Sequence, residues 1–192
     1  LFMFIPIIMG FIISLTDYDG FKKFDFVGFR NYIDMFHDDY FLVSLKNNLI
    51  YTLVTVPITI VLAILLAVAL NTGIRGASVF KAFYYFPTIS SMVAVGIVWA
   101  ILFNPTYGPI NQFLNNIGIA NPPRWLASTS SALWAVMIVS IWKQVGYYMV
   151  MLLAGLQSIN RELYEAAQID GANSVARFFN ITLPMLSPVT FM

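Results

Sequence analysis

The sequence predicts an all-α protein, a polytopic bundle of transmembrane helices. Three observations carry this. Of the 192 residues 59% are hydrophobic and 10% charged, whereas soluble domains carry about 25% charged residues. The runs 49–70, 83–103 and 132–153 are apolar, and each reaches the roughly 20 residues that a helix needs to cross a hydrocarbon core of about 30 Å. The segments outside these runs collect nearly all of the Asp, Asn, Gly and Lys. In lipid the backbone must satisfy its own hydrogen bonds, so such runs are read as helices.

The elements follow in order. Residues 1–15 are apolar but too short to span and read as the second half of a helix; no small-residue cleavage site follows, which favours this over a signal-peptide core. The apolar sequence after Pro188 reads as the opening of a further span. The chain is thus expected to hold three complete and two partial spans, as one transmembrane domain over 1–192 cut at both ends. The connection 16–48 is long, acidic and aromatic, and 71–82 is short, with Arg75 and Lys81 and no acid. Connection 104–131 is rich in Asn, Pro and Gly. In the first complete span Pro57 removes one backbone bond, and Ala63 with Ala67 is a small-residue pair that lets helix backbones approach. Gly96 and Ala100 form a similar pair in the second span.

Composition excludes several function classes. A net charge of +1 without a basic cluster gives nothing to neutralise phosphates, so no nucleic-acid partner is expected. There is no cysteine, and the single histidine, His37, cannot build a metal site alone. No Walker-type phosphate loop is present, so neither metal nor nucleotide cofactor is expected in this chain.

The last complete span carries a polar stripe. Ser140, Gln144, Tyr147 and Met151 recur at intervals of four, three and four, which is one helical face, with Lys143 at its margin. Val145 and Tyr148 fall on a different, mainly apolar face. Polar and charged groups within a span are costly against lipid and face a bundle interior or a wet cavity. Ser and Gln both donate and accept hydrogen bonds, and tyrosine offers a ring face, a set suited to sugar hydroxyls. The alternative for Lys143 is to reach toward an interface. Thr88 and Met92, with Ser90 and Ser91 beside Pro87, form a second and weaker candidate cluster.

Residues 157–187 form a charged, glycine-broken segment between apolar runs. Asn160 is placed to cap a helix starting at Arg161, Gly171 to stop it in a left-handed conformation, and a second helix is expected over 172–180 until Pro184. Ala166 and Ala167 leave the first helix thin enough to enter a cleft, with Glu165 and Asp170 as anionic contacts at its ends.

The order Glu165-Ala166-Ala167, Asp170-Gly171-Ala172 and Ile181-Thr182-Leu183-Pro184 resembles the signature loop of binding-protein-dependent ABC importer permeases. Leu15-Thr16-Asp17-Tyr18, Phe26-Val27-Gly28-Phe29-Arg30-Asn31-Tyr32, Ser44-Leu45-Lys46-Asn47, Asn104-Pro105-Thr106-Tyr107-Gly108 and Leu153-Ala154-Gly155-Leu156-Gln157 look like its sugar branch, similar to the larger-subunit family of maltose permeases. The resemblance implies a type I ABC importer permease in the bacterial or archaeal cytoplasmic (inner) membrane. Its six-helix core pairs with a second permease subunit, two ATPase subunits that bind ATP and Mg, and an extracytoplasmic solute-binding protein. Glu165, Ala166, Ala167, Asp170, Gly171, Ala172, Leu183 and Pro184 would then couple to the ATPase. Segments 71–82 and 157–187 would lie inside, and 16–48 and 104–131 outside. The basic residues alone barely decide this, with Lys22, Lys23, Arg30, Lys46 and Arg124 on one side and Arg75, Lys81, Arg161 and Arg177 on the other.

Aligned through Trp142 and Leu156-Gln157, the family's sugar contacts fall on Ser140, Lys143, Gln144 and Tyr147, where only the tyrosine type is kept. The solute expected is a sugar or oligosaccharide. The alternatives are another solute such as glycerol-phosphate, which Lys143 could serve, or, in a different class, a membrane enzyme or passive channel.

Overall fold

The computed structural model describes residues 2–21, 24–72 and 76–190. Arg75, used above to orient the 71–82 connection, lies outside them, as do Lys22 and Lys23. Among the described residues the regular elements are all helices, joined by turns and loops, with one isolated antiparallel bridge, Thr16 to Phe26. They fall into two compact units, Leu1–Ile50 and Tyr51–Met192.

In the first unit α1 (Phe4–Ser14) leads into the bridge and then α2 (Arg30–Phe36). The motifs beginning at Leu15 and Phe26 prove to be partners. Val27 and Gly28 donate their backbone N–H groups to the carbonyl of Leu15, at 2.9 and 3.1 Å. Gly28 supplies the positive φ, +61°, that turns the chain into α2. Asn31 Nδ2 then donates to the carbonyls of Ser14 and Thr16, both at 2.9 Å. The Ser14 carbonyl is one that the end of α1 leaves open, and that of Thr16 lies just beyond the helix.

α3 (Asp39–Asn71) is continuous through Pro57 for 33 residues, about 50 Å at 1.5 Å per residue. It contains the expected span 49–70 and extends beyond it. α7 (Ala132–Ser158) contains the expected span 132–153. Both are long and apolar enough to cross a membrane.

The span expected over 83–103 is not one unbroken helix. It is two helices, α4 (Ala77–Ile89) and α5 (Met92–Leu102), bent by 98° at Ser90-Ser91. The cause is local. Pro87 withholds an N–H and Ser90 Oγ bonds back to the Phe86 carbonyl at 3.0 Å. Proline and back-bonding serine are both recognised causes of helix bending. Ser90 and Ser91 adopt extended ψ values of 143° and 134°.

α6 (Pro109–Asn116) follows, then a 3₁₀ turn at Trp125–Ala127. Asn111, almost wholly buried, accepts from Trp125 Nε1 at 2.6 Å and donates to the Pro105 and Pro123 carbonyls. One side chain thereby ties together the Asn- and Pro-rich connection.

The core of the second unit lies where α3, α7 and the last helix, α10 (Leu183–Thr190), meet. Ala63 and Ala67 are fully buried there beside Met149, Leu153 and Leu186, as the small-residue spacing predicts. Gly96 and Ala100, by contrast, are exposed. The closest backbone approach is at Gly146, where a Cβ would stand 1.8 Å from the Tyr84 carbonyl oxygen. α4 therefore lies directly on α7 at that point. The run thought to begin after Pro188 is also corrected, since α10 starts at Leu183 and carries Pro188 inside it.

Candidate functional site

A cavity of about 510 Å³ opens between α3, α7 and α10, within the range of about 300–1,000 Å³ usual for small-molecule sites. α3 presents Tyr51, Thr55 and Thr59, four residues apart and hence one above another. α7 presents Gln144, Tyr148 and Met151, and Val189 and Thr190 close the end.

The polar wall is organised by a short network. Tyr51 and Ser140 share a hydroxyl hydrogen bond at 2.5 Å, and Gln144 Nε2 donates to Ser140 Oγ at 2.7 Å. Gln144 spends one N–H on this contact. Its other N–H and its carbonyl oxygen have no partner among the described residues and can serve a bound molecule.

Of the expected stripe, Gln144 and Met151 line the cavity, and Ser140 stands behind it as a bridge to Tyr51. Tyr147 is 44% exposed and does not line the cavity; Tyr148, one residue on, does. The two rings meet edge to face at 5.4 Å. Periodicity on α7 alone could not have singled out the α3 ladder. The signal was nevertheless present as Tyr51, Thr55 and Thr59 at i, i+4 and i+8 in a run whose other residues, Thr52 aside, are apolar.

Lys143 has another destination. Its Nζ donates to the backbone carbonyls of Pro87 at 3.0 Å, Thr88 at 3.4 Å and Ser90 at 2.9 Å. Thr88 Oγ1 donates in return to the Lys143 carbonyl at 2.9 Å. These carbonyls lie in the last turn and cap of α4, where a cation is favoured; that of Pro87 also accepts from the Ser90 N–H at 3.3 Å. Thr88 thus belongs to the break between α4 and α5, and Met92, 68% exposed, begins α5 beyond it.

The signature segment starts two residues after α7 ends. Asn160 Oδ1 accepts from the Glu162 backbone at 3.0 Å and caps α8 (Arg161–Ile169) as expected. Gly171 has φ +79°. Around it Gly171 N–H bonds to the Gln168 carbonyl at 3.1 Å and Ala172 N–H to that of Ala167 at 2.9 Å. This pair of bonds is the Schellman closure. Glu165, Ala166 and Asp170 are exposed, and Glu165 forms only an exposed ion pair with Arg161 at 3.3 Å, worth a few tenths of a kcal/mol, about 0.3–0.5.

The second helix expected over 172–180 is corrected. Asn173 caps α9 (Ser174–Arg177) through Ala176 N–H at 2.8 Å, and a π-turn, Phe178–Thr182, runs directly into α10. Pro184 therefore does not stop the chain. It lacks the N–H that would seek the Asn180 carbonyl, and the wider turn before it relieves the clash of its ring with that carbonyl. Tyr164 OH bonds to Thr182 Oγ1 at 2.9 Å and fastens α8 to this turn. Leu183 and Pro184 remain exposed.

A helical bundle with spans of membrane-crossing length, a mainly apolar cavity carrying a few hydroxyl and amide groups between its helices, and a capped, exposed surface loop is the layout of a membrane transport component. The chain belongs to the family described as binding-protein-dependent transport system inner membrane component, which matches residues 41–192. It is accordingly an integral, multi-pass protein of the inner membrane.

It is 33% identical over 196 residues to the Probable ABC transporter permease protein YurN of Bacillus subtilis, covering 100% of this chain and 67% of that protein. It is 38% identical over 169 residues to the sn-glycerol-3-phosphate transport system permease protein UgpA of Yersinia enterocolitica, covering 87% of this chain and 56% of that one. A bacterial alginate ABC transporter, crystallised in complex with an alginate pentasaccharide-bound periplasmic protein, contains a chain of the same fold. The TM-score is 0.77 at 26% identity, over 98% of this chain and 67% of that one. The chain thus spans between about half and two thirds of the length of these relatives.

Proposed function

We propose that this chain is the membrane-spanning part of an ATP-driven importer that carries a sugar or oligosaccharide inward from an extracytoplasmic binding protein. The observation that carries the reading is the layout of α7. One side of this helix forms the hydroxyl- and amide-lined cavity wall at Gln144, and its end passes through Ile159 into the capped, exposed helix α8. A movement imposed on α8 reaches the cavity through a single rigid element.

The partners follow from the chemistry. The chain holds no phosphate-binding loop, so ATP and Mg belong to two ATPase subunits, whose cleft takes α8 at the paired alanines Ala166 and Ala167. Glu165, Asp170, Gly171, Ala172, Leu183 and Pro184 shape that contact. A second permease subunit closes the open side of the cavity. Gln144, with Ser140 behind it, contacts the solute, and Tyr147 lies at the margin of the pathway.

The test is purification with co-expressed neighbouring subunits, followed by ATP-dependent uptake into proteoliposomes supplied with the loaded binding protein. Sugar uptake that requires ATP and the binding protein is the expected result. Uptake without either would make the chain a passive channel and end the proposal.

A further inference from the structure

The cavity also carries information on the charge of its solute. We infer that the transported solute is an uncharged sugar, not a uronate or a phosphate ester. This rests on the reading of the cavity as the solute path.

The wall this chain contributes is built from hydroxyls, one amide, aromatic rings and aliphatic or thioether groups, and every lining side chain is uncharged. Hydroxyls and amides exchange donors and acceptors freely with sugar hydroxyls, and the Tyr148 ring offers an apolar face to the C–H side of a pyranose. A carboxylate or phosphate brought to the same wall would lose water and gain no cation in return, which is strongly unfavourable in a low-dielectric site.

Lys143 is the cation closest in sequence to the cavity, adjoining Gln144 on α7. Its ammonium has three N–H donors, and three backbone carbonyls around the break between α4 and α5 accept from it, at 3.0, 3.4 and 2.9 Å. Drawing it to a solute would take a charged donor from three carbonyls at once, of which that of Pro87 would keep only the Ser90 N–H. The backbone of the same residue is held by Thr88, so the side chain is fixed from both ends. The charge that could have served an anionic solute is committed to structure.

The experiment is competition for uptake by the complete importer in cells. The neutral probes are disaccharides of glucose, galactose and N-acetylglucosamine. The charged probes are the corresponding uronate disaccharides and glycerol-3-phosphate, and all are run with the native chain and with Lys143→Gln. A neutral sugar should be preferred by more than about tenfold, the least an unpaired buried carboxylate should produce. Lys143→Gln should lower transport without altering the ratio of neutral to charged uptake.

Uronate uptake within a few-fold of the neutral sugar would overturn the inference while leaving a sugar importer standing. A selective loss of anion uptake in Lys143→Gln would likewise overturn it, by showing that the ammonium meets solute. Uptake of glycerol-3-phosphate with no sugar of either kind would overturn the proposed function as well.

Discussion

The Lys143 ammonium lies 3.0 Å from the Pro87 carbonyl oxygen, and the Thr88 hydroxyl lies 2.9 Å from the Lys143 carbonyl. α7 and the end of α4 therefore exchange hydrogen bonds in both directions. Contacts to either side fix the same crossing. Trp142 meets Trp99 of α5 edge to face at 5.4 Å, and Gly146 lets α7 touch the backbone of Tyr84 in α4. The 98° bend is thus secured at three neighbouring positions along α7.

Removing the ammonium should loosen this crossing. Hydrogen bonds to a charged group contribute about 1.5–3 kcal/mol each, so loss of the two short ones, at 3.0 and 2.9 Å, should cost about 3–6 kcal/mol in Lys143→Met. Thermal unfolding of the purified complex would register it as a clear fall in Tm, and Thr88→Val should give a smaller one. Native Tm in Lys143→Met would show that the carbonyls are satisfied without it.

Gly146→Leu should be worse tolerated than Gly96→Leu. A Cβ at Gly146 would overlap backbone at 1.8 Å, whereas nothing in the chain lies within 4 Å of a Cβ at Gly96. Backbone cannot rotate away as a side chain can, so the helices must separate. The amount of folded protein recovered from membranes in mild detergent measures the difference.

Sidedness can be read with cysteines at two exposed positions, Asn115→Cys and Ser174→Cys. Only α7 crosses between these positions, so they lie on opposite sides; with segment 71–82 inside and α4 and α5 making one broken span, 115 is outside. An impermeant thiol reagent on intact cells should then label 115 and spare 174. The reverse pattern would mean that the signature loop faces outward and would overturn this orientation.

Two changes in the signature loop should uncouple ATP use from transport. Gly171→Val forces a β-branched residue to φ +79°, where an L side chain costs roughly 1–2 kcal/mol. Ala167→Trp adds an indole to the helix proposed to enter the ATPase cleft. Both proteins should insert into the membrane normally, and both should lose stimulation of ATPase activity by the loaded binding protein. Normal stimulation in Ala167→Trp would sink the docking of α8.

Gln144→Leu should raise the solute concentration for half-maximal uptake by about tenfold, since leaving a buried hydroxyl unpartnered costs roughly 1–3 kcal/mol. Val145 is no comparison for it, because it is buried in the helical core. Ile138→Leu, on an exposed part of α7, should leave the uptake curve unchanged. Superimposable curves for Gln144→Leu and the native chain would remove Gln144 from the pathway.

What the sequence determined by itself was whatever depends on neighbours along the chain. Apolar runs of span length became α3 and α7 because a backbone in lipid has no other partner than itself. Asn160 and Gly171 bounded α8 because capping and a left-handed stop are decided within a few residues. Tertiary structure decided what depends on a facing element. Tyr148 and not Tyr147 lines the cavity because α3 lies opposite that face, and one step along a helix turns a side chain by about 100°. Lys143, placed by periodicity at the edge of a polar stripe, was drawn to the carbonyls of a broken helix whose bend no periodicity in α7 announces. Pro184, a local stop signal, was overridden because a π-turn accommodates its ring while α10 packs Leu186 into the core. A cation and a proline respond to whatever acceptors and space the fold brings to them, and only the assembled bundle supplies those.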